Sequence, residues 1–230
     1  MLDALGTARD AQKRIAGLVT SHRMKLASGE IVSYQANALE LAESITLPLQ
    51  QDFSSFLSAA ARAVKTLQTL LRFFGVDVGC LFAKPANFET GLNALAARGD
   101  GVLPNYLRDV RSGWSERLIS RRNAHEHDGF RLPDVVYSPP AVTPVQMKEP
   151  EVDGQAVSEY TAEILGHVLA FTEDLIAYAV QRSIRPPGTL AGLPPAERDP
   201  EHAKRFFLTV PALQPEAQVW SLKYSARGFQ

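Results

Sequence analysis

Apolar residues recur at helical intervals along most of the chain. From Leu2 to Lys25 and just beyond, Leu5, Ile15, Leu18, Val19 and Leu26 fit one helical face, and Gly29 supplies a stop. From Ser33 to Leu47, Ala36, Leu39, Leu41, Ala42 and Ile45 keep a similar spacing up to Pro48, so a second helix is expected, forming an antiparallel hairpin with the first. The most sustained stripe lies between Gln51 and Phe74, where Phe53, Phe56, Leu57, Ala60, Ala61, Val64, Leu67, Leu70 and Leu71 mark a core-facing helix ended by Gly75.

A shorter helix is expected before Gly99, with Asn87 as its cap. Leu103 to His127 reads as one helix with Leu107, Val110, Trp114, Leu118 and Ile119 as apolar members. The period then changes: 132–137 and 142–147 resemble two short strands around a proline-rich turn. Helical spacing returns over 155–183 through Val157, Tyr160, Ile164, Val168, Phe171, Leu175 and Val180. Residues 185–202 are rich in proline and glycine, and 205–213 and 217–224 have strand-like composition suited to a terminal hairpin.

The organisation expected is therefore a mainly α-helical domain over 1–183, interrupted by a hairpin insertion at about 131–150, followed by a Pro-rich linker and C-terminal extension over 184–230. At 230 residues and 45% hydrophobic content the chain can bury a substantial core. With 24 basic and 25 acidic residues it lacks the positive field of a general nucleic-acid coat, so any RNA contact must be local. Cys80 is the single cysteine, which excludes an intramolecular disulfide, and its apolar surroundings read as core rather than nucleophile. The start lacks the uninterrupted apolar segment of a secretory signal, and no run approaches the roughly 18 apolar residues of a membrane span, so the chain reads as cytoplasmic with no membrane partner.

The chemistry concentrates in RRNAHEHDGF, residues 121–130. At about 100° per helical residue, with Arg122 at zero, Glu126 falls at about 40°, Asn123 at about 100° and His127 at about 140°. Those four share one broad face, while Arg121 and His125, four apart, occupy the other. His125 and His127 diverge by about 200° on a helix and would meet on a metal ion only if the segment were extended. No HExxH spacing occurs, and His22, His167 and His202 stand alone along the chain, so neither metal nor cofactor is called for.

Two readings of the outward face remain open. Arg122 and Glu126 can form an ion pair at an exposed helix end, with no chemistry implied. Alternatively, histidine can take a proton from a ribose 2′-hydroxyl near neutral pH while arginine binds the scissile phosphate.

The run Arg122-Asn123-Ala124-His125-Glu126-His127 resembles the R-x(4–6)-H motif of the HEPN superfamily, with Asn123 in the polar position after the arginine. The order of a long helix, a motif-bearing helix and a long closing helix resembles that superfamily over roughly residues 33–183. The resemblance implies an antiparallel helical bundle, usually a homodimer with two motifs meeting in a cleft. It implies a metal-independent endoribonuclease, often acting in toxin–antitoxin or phage-defence systems and held by a protein antitoxin or effector partner. His127 would then be the general base or acid, Arg122 the phosphate ligand and Asn123 an orienting residue, with Glu126, His125 and Arg121 in support. His125 competes for the functional role through its spacing from Arg121. A non-catalytic dimerisation or partner-binding module of the same fold is the alternative.

Overall fold

The computed structural model describes residues 1–35, 38–138, 144–198, 205–210 and 222. It is mainly helical, with small, separate antiparallel strand pairs. The first helix, α1 (Leu2–Ser28), buries Leu5, Ala8, Ala11, Ile15, Val19, His22 and Leu26 along one stripe. Gly29 ends it at φ 74°, a left-handed conformation that glycine adopts without steric cost.

The expected second helix over 33–47 is instead a strand pair, β1 (Val32–Gln35) and β2 (Ala38–Leu41), with Val32 opposite Leu41 and Tyr34 opposite Leu39. On β1 Val32 and Tyr34 alternate with Ser33 and Gln35, on β2 Leu39 and Leu41 flank Glu40, and the period of two prevails over the coincidental helical spacing of the leucines. Val32, Leu39 and Leu41 pack on a small cluster of Leu26, Ile31 and Val145. Pro48 does not stop a helix; it lies in the first turn of α2 (Thr46–Arg72), where a missing N–H costs nothing because that turn has no intrahelical acceptor.

Two compact units divide the chain. The first comprises residues 1–64 and 116–168. Its core includes Ile15, Leu49, Phe53, Phe56, Leu57, Tyr160 and Ile164, all fully buried. The Phe53 ring lies 6.1 Å from that of Tyr160 and 6.4 Å from that of Phe130. Burial of one such aromatic contributes about 1.5–3 kcal/mol.

This unit also holds α5 (Glu116–His127) and the insertion that follows it. In the insertion, β3 (Val136–Tyr137) pairs with β4 (Met147–Lys148); the expected turn residues 139–143 lie outside the described residues. A further pair, β5 (Glu151–Val152) and β6 (Gln155–Ala156), turns through Asp153 and Gly154, both at positive φ. That geometry is the two-residue hairpin turn that Asp-Gly favours. The long closing helix α6 (Val157–Ser183) begins directly after it, its Ser158 N–H capped by the buried Glu149 carboxylate, which also receives Arg23 at 2.8 Å.

The second unit comprises 65–115 and 169–230. Here α3 (Pro85–Ala97) starts with proline in its first turn and no side-chain cap, so Asn87 lies inside the helix rather than capping it. The single helix expected from Leu103 to His127 is broken: α4 (Leu103–Val110) runs into a π turn at Arg111–Ser115 before α5. Trp114 in that turn is buried edge-on to Phe171 at 5.6 Å, a core position rather than a platform for a nucleic-acid base.

Asp100 organises the other end of this unit. It accepts hydrogen bonds from Leu103 N–H, the Tyr178 hydroxyl and Arg182, a satisfied buried carboxylate. Within the Pro-rich stretch, β7 (Thr189–Gly192) pairs with β8 (Phe206–Thr209). The strand expected from 205–213 thus finds its partner upstream of it, and of the expected 217–224 strand only Leu222 lies among the described residues. None of the described helices is long and apolar enough to cross a membrane.

Candidate functional site

The polar cluster forms the last turns of α5, and the chain closes that helix sharply. Asp128 and Phe130 both donate backbone N–H groups to the Ala124 carbonyl, with Gly129 at φ 68° between them. A side chain at Gly129 would be strained in that left-handed conformation. The reversal carries Phe130 and Leu132 back towards α2, where the Leu132 N–H donates to Gln50 Oε1 at 2.6 Å.

His125 is fixed by this reversal. Its Nδ1 lies 3.1 Å from the Phe130 carbonyl and its Nε2 2.6 Å from Ser54 Oγ on α2. A carbonyl can only accept, so the neutral ring carries its proton on Nδ1, and Nε2 accepts from the serine hydroxyl. Both ring nitrogens are therefore occupied.

Arg121 shares the inward face with His125 but does not pair with it. Its guanidinium grips Asp153 at the tip of the β5–β6 hairpin and lies over the Phe130 ring at 5.3 Å from the centroid. The Asp153 hydrogen bond raises the Arg121 pKa further, so this cation is permanent. Arg117, one turn earlier, reaches Glu163 at 2.9 Å and Gln155 at 2.5 Å. Burial alone would raise the Glu163 carboxyl, but hydrogen bonding from Gln155 and the charge of Arg117 outweigh it and hold the group below its ordinary range. Beneath Arg117 the Tyr160 hydroxyl is buried with no hydrogen-bond partner among the described residues, and burial raises its pKa.

The outward face is different. Arg122 pairs with Glu126 at 2.5 Å and donates to Asn123 Oδ1 at 3.1 Å, contacts that among the described residues stay within the helix itself. Its side chain keeps 37% of its accessible surface, so the guanidinium is reachable by a phosphate. Asn123, Glu126 and His127 are exposed, and His127 makes no hydrogen bond or ion pair among the described residues. The expected sharing of one face by Arg122, Asn123, Glu126 and His127 follows from α5 being helical through His127. The same helicity keeps His125 and His127 apart, removing the geometry a shared metal ion would need.

No family model, curated protein or solved structure matches the chain.

Other candidates resolve as parts of the framework. His22 is buried with Nε2 2.9 Å from the Tyr137 hydroxyl, and burial lowers its pKa. His167 is also buried, near Glu163, and burial again lowers its pKa despite that carboxylate. Cys80 is half-buried rather than fully enclosed, and burial followed by the nearby Asp77 charge pushes its thiol up, away from a reactive thiolate. Ser54, Gln50 and Asp153 were not legible as site residues: each joins α5 or the segment just after it across 32 to 82 positions of sequence, and no local spacing announces such a contact.

Proposed function

We propose that this protein is a metal-independent endoribonuclease of the HEPN type, an antiparallel helical bundle acting as a cytoplasmic homodimer. The observation that carries the reading is the exposed His127, without a partner among the described residues, on the α5 face that also presents Arg122 and Asn123. His127 takes the 2′-hydroxyl proton as the oxygen attacks phosphorus, and a protonated histidine returns a proton to the departing 5′-oxygen. Arg122 holds the phosphate and offsets its growing negative charge, and Asn123 orients the guanidinium through its Oδ1. A dimer doubles this sparse set by bringing a second motif to the same cleft. Arg121 and His125 support it from the inward face by fixing the end of α5. A toxin–antitoxin or phage-defence setting, with a protein antitoxin or effector partner, fits such an enzyme.

Incubation with tRNA and mixed-sequence RNA in EDTA tests this. Wild-type protein is expected to give fragments ending in 2′,3′-cyclic phosphate and 5′-hydroxyl, and His127→Ala none. One observation favours a second reading: Glu126 already occupies Arg122, as it would in a non-catalytic dimerisation or partner-binding module. That reading predicts intact RNA with the wild-type protein and altered assembly or partner capture when Arg122 or His127 is replaced.

A further inference from the structure

We propose that Ser54 is the nucleophile of a second site on this chain, one that accepts the acyl group of an activated carboxylic ester and passes it to water. The site lies on the inward side of α5 and uses none of Arg122, Asn123 and His127, the residues proposed to touch RNA; it shares only His125, which supports them by fixing the end of α5.

Three contacts carry the inference. Ser54 Oγ is 2.6 Å from His125 Nε2, within reach for direct proton transfer. His125 Nδ1 is 3.1 Å from the Phe130 carbonyl, which holds the ring in the tautomer whose free lone pair faces the serine. A backbone carbonyl here takes the orienting place that a carboxylate has in a serine–histidine–aspartate set. Gln50, one helical turn before Ser54 on α2, spends its Oε1 on the Leu132 N–H. Its Nε2 hydrogens therefore remain available, without a partner among the described residues, as donors to a developing oxyanion beside Ser54. Ser54 and His125 are both half-buried, desolvated enough to strengthen the pair yet open to a small ester.

The chemistry closes on itself. Ser54 Oγ bonds to the acyl carbon as its proton passes to His125 Nε2, and the ester carbon–oxygen bond breaks as that proton moves to the leaving alkoxide. Water then attacks the acyl carbon, giving a proton to Nε2, and the Oγ–acyl bond breaks with return of the proton to Ser54. An acid and an alcohol are released, with no net oxidation.

The test treats the full chain with p-nitrophenyl acetate and, separately, with a fluorophosphonate probe, followed by peptide mass mapping. A stoichiometric burst of nitrophenol and an adduct on Ser54 are expected, retained in Ser55→Ala, lost in Ser54→Ala and slowed at least about 100-fold in His125→Ala. Because those last two changes also remove a packing contact, Ser54→Cys supplies an independent readout. Its new thiol should be alkylated by iodoacetamide at least about tenfold faster than Cys80 in the same molecule, an advantage that His125→Ala removes. Absence of the wild-type adduct, its location on another residue, or equal alkylation of the two thiols would overturn the proposal.

Discussion

The two faces of α5 carry the same residue types and use them differently. Inward, Arg117, Arg121 and His125 are bound to groups 32 to 71 positions away in sequence: Glu163, Asp153 and Ser54. Outward, among the described residues, Arg122, Asn123 and Glu126 make hydrogen bonds and ion pairs only with one another, and His127 makes none. A guanidinium or imidazole whose partners are supplied by the fold is fixed in place and acts only on what the fold sets beside it. One whose partners are local or missing can exchange them for a ligand at little cost, since an exposed i,i+4 pair contributes only about 0.3–0.5 kcal/mol.

The largest way to disturb this contrast is to remove what both faces stand on. Phe53→Ala empties a fully buried site against Tyr160 and Phe130 and should cost about 3–5 kcal/mol in urea unfolding, loosening both faces together. His125→Ala acts on the inward face alone. Loss of the imidazole strands the Ser54 hydroxyl and the Phe130 carbonyl, so about 1–3 kcal/mol of stability should disappear. His127→Ala, by contrast, should stay within about 0.5 kcal/mol of wild type in the same unfolding series.

Acidification sharpens the comparison from another direction. Burial lowers the folded-state pKa of His22 and His167, so the unfolded chain binds more protons as pH falls through the ordinary histidine range. The stability they contribute is full above about pH 6.5 and is lost progressively below it, towards their lowered folded values. Melting temperature should therefore decline from pH 7 to pH 5, with a shallower slope in His22→Gln. A slope unchanged by that substitution would show that His22 is not the group responsible.

The smallest structural effect is expected from Glu126→Gln. It weakens only the pair with Arg122, so stability should change by less than about 0.5 kcal/mol while affinity for RNA rises, most visibly at low salt. Equal or weaker RNA binding would place Glu126 among the groups that assist Arg122 rather than compete with a phosphate for it.

What could be read from the chain follows the same division between local and distant. Long helices were legible because seven or more apolar residues in one register leave no competing period, as along α2 and α6. Gly29 and Gly75 were legible as stops because a left-handed residue after a helix is a local requirement. The outward polar face of α5 needed only the helical angle. The β1–β2 pair was hidden because two four-residue strands offer too few alternations to outvote leucines that also fit a helix. The π turn was hidden because the contact its Trp114 makes with Phe171 spans 57 positions, and Gly113 inside it carries no such signal. For the same reason the Ser54–His125 contact and the Asp153 clamp on Arg121 could not be anticipated from RRNAHEHDGF alone.

The claim that the outward face is the one left free for RNA is tested most directly by single-turnover cleavage of a fluorescent RNA in EDTA, comparing wild type with His127→Ala after unfolding curves have shown equal stability. The account predicts a fall of at least about 100-fold in the cleavage rate. Undiminished cleavage by His127→Ala, or an RNA left intact by the wild-type protein, would contradict it.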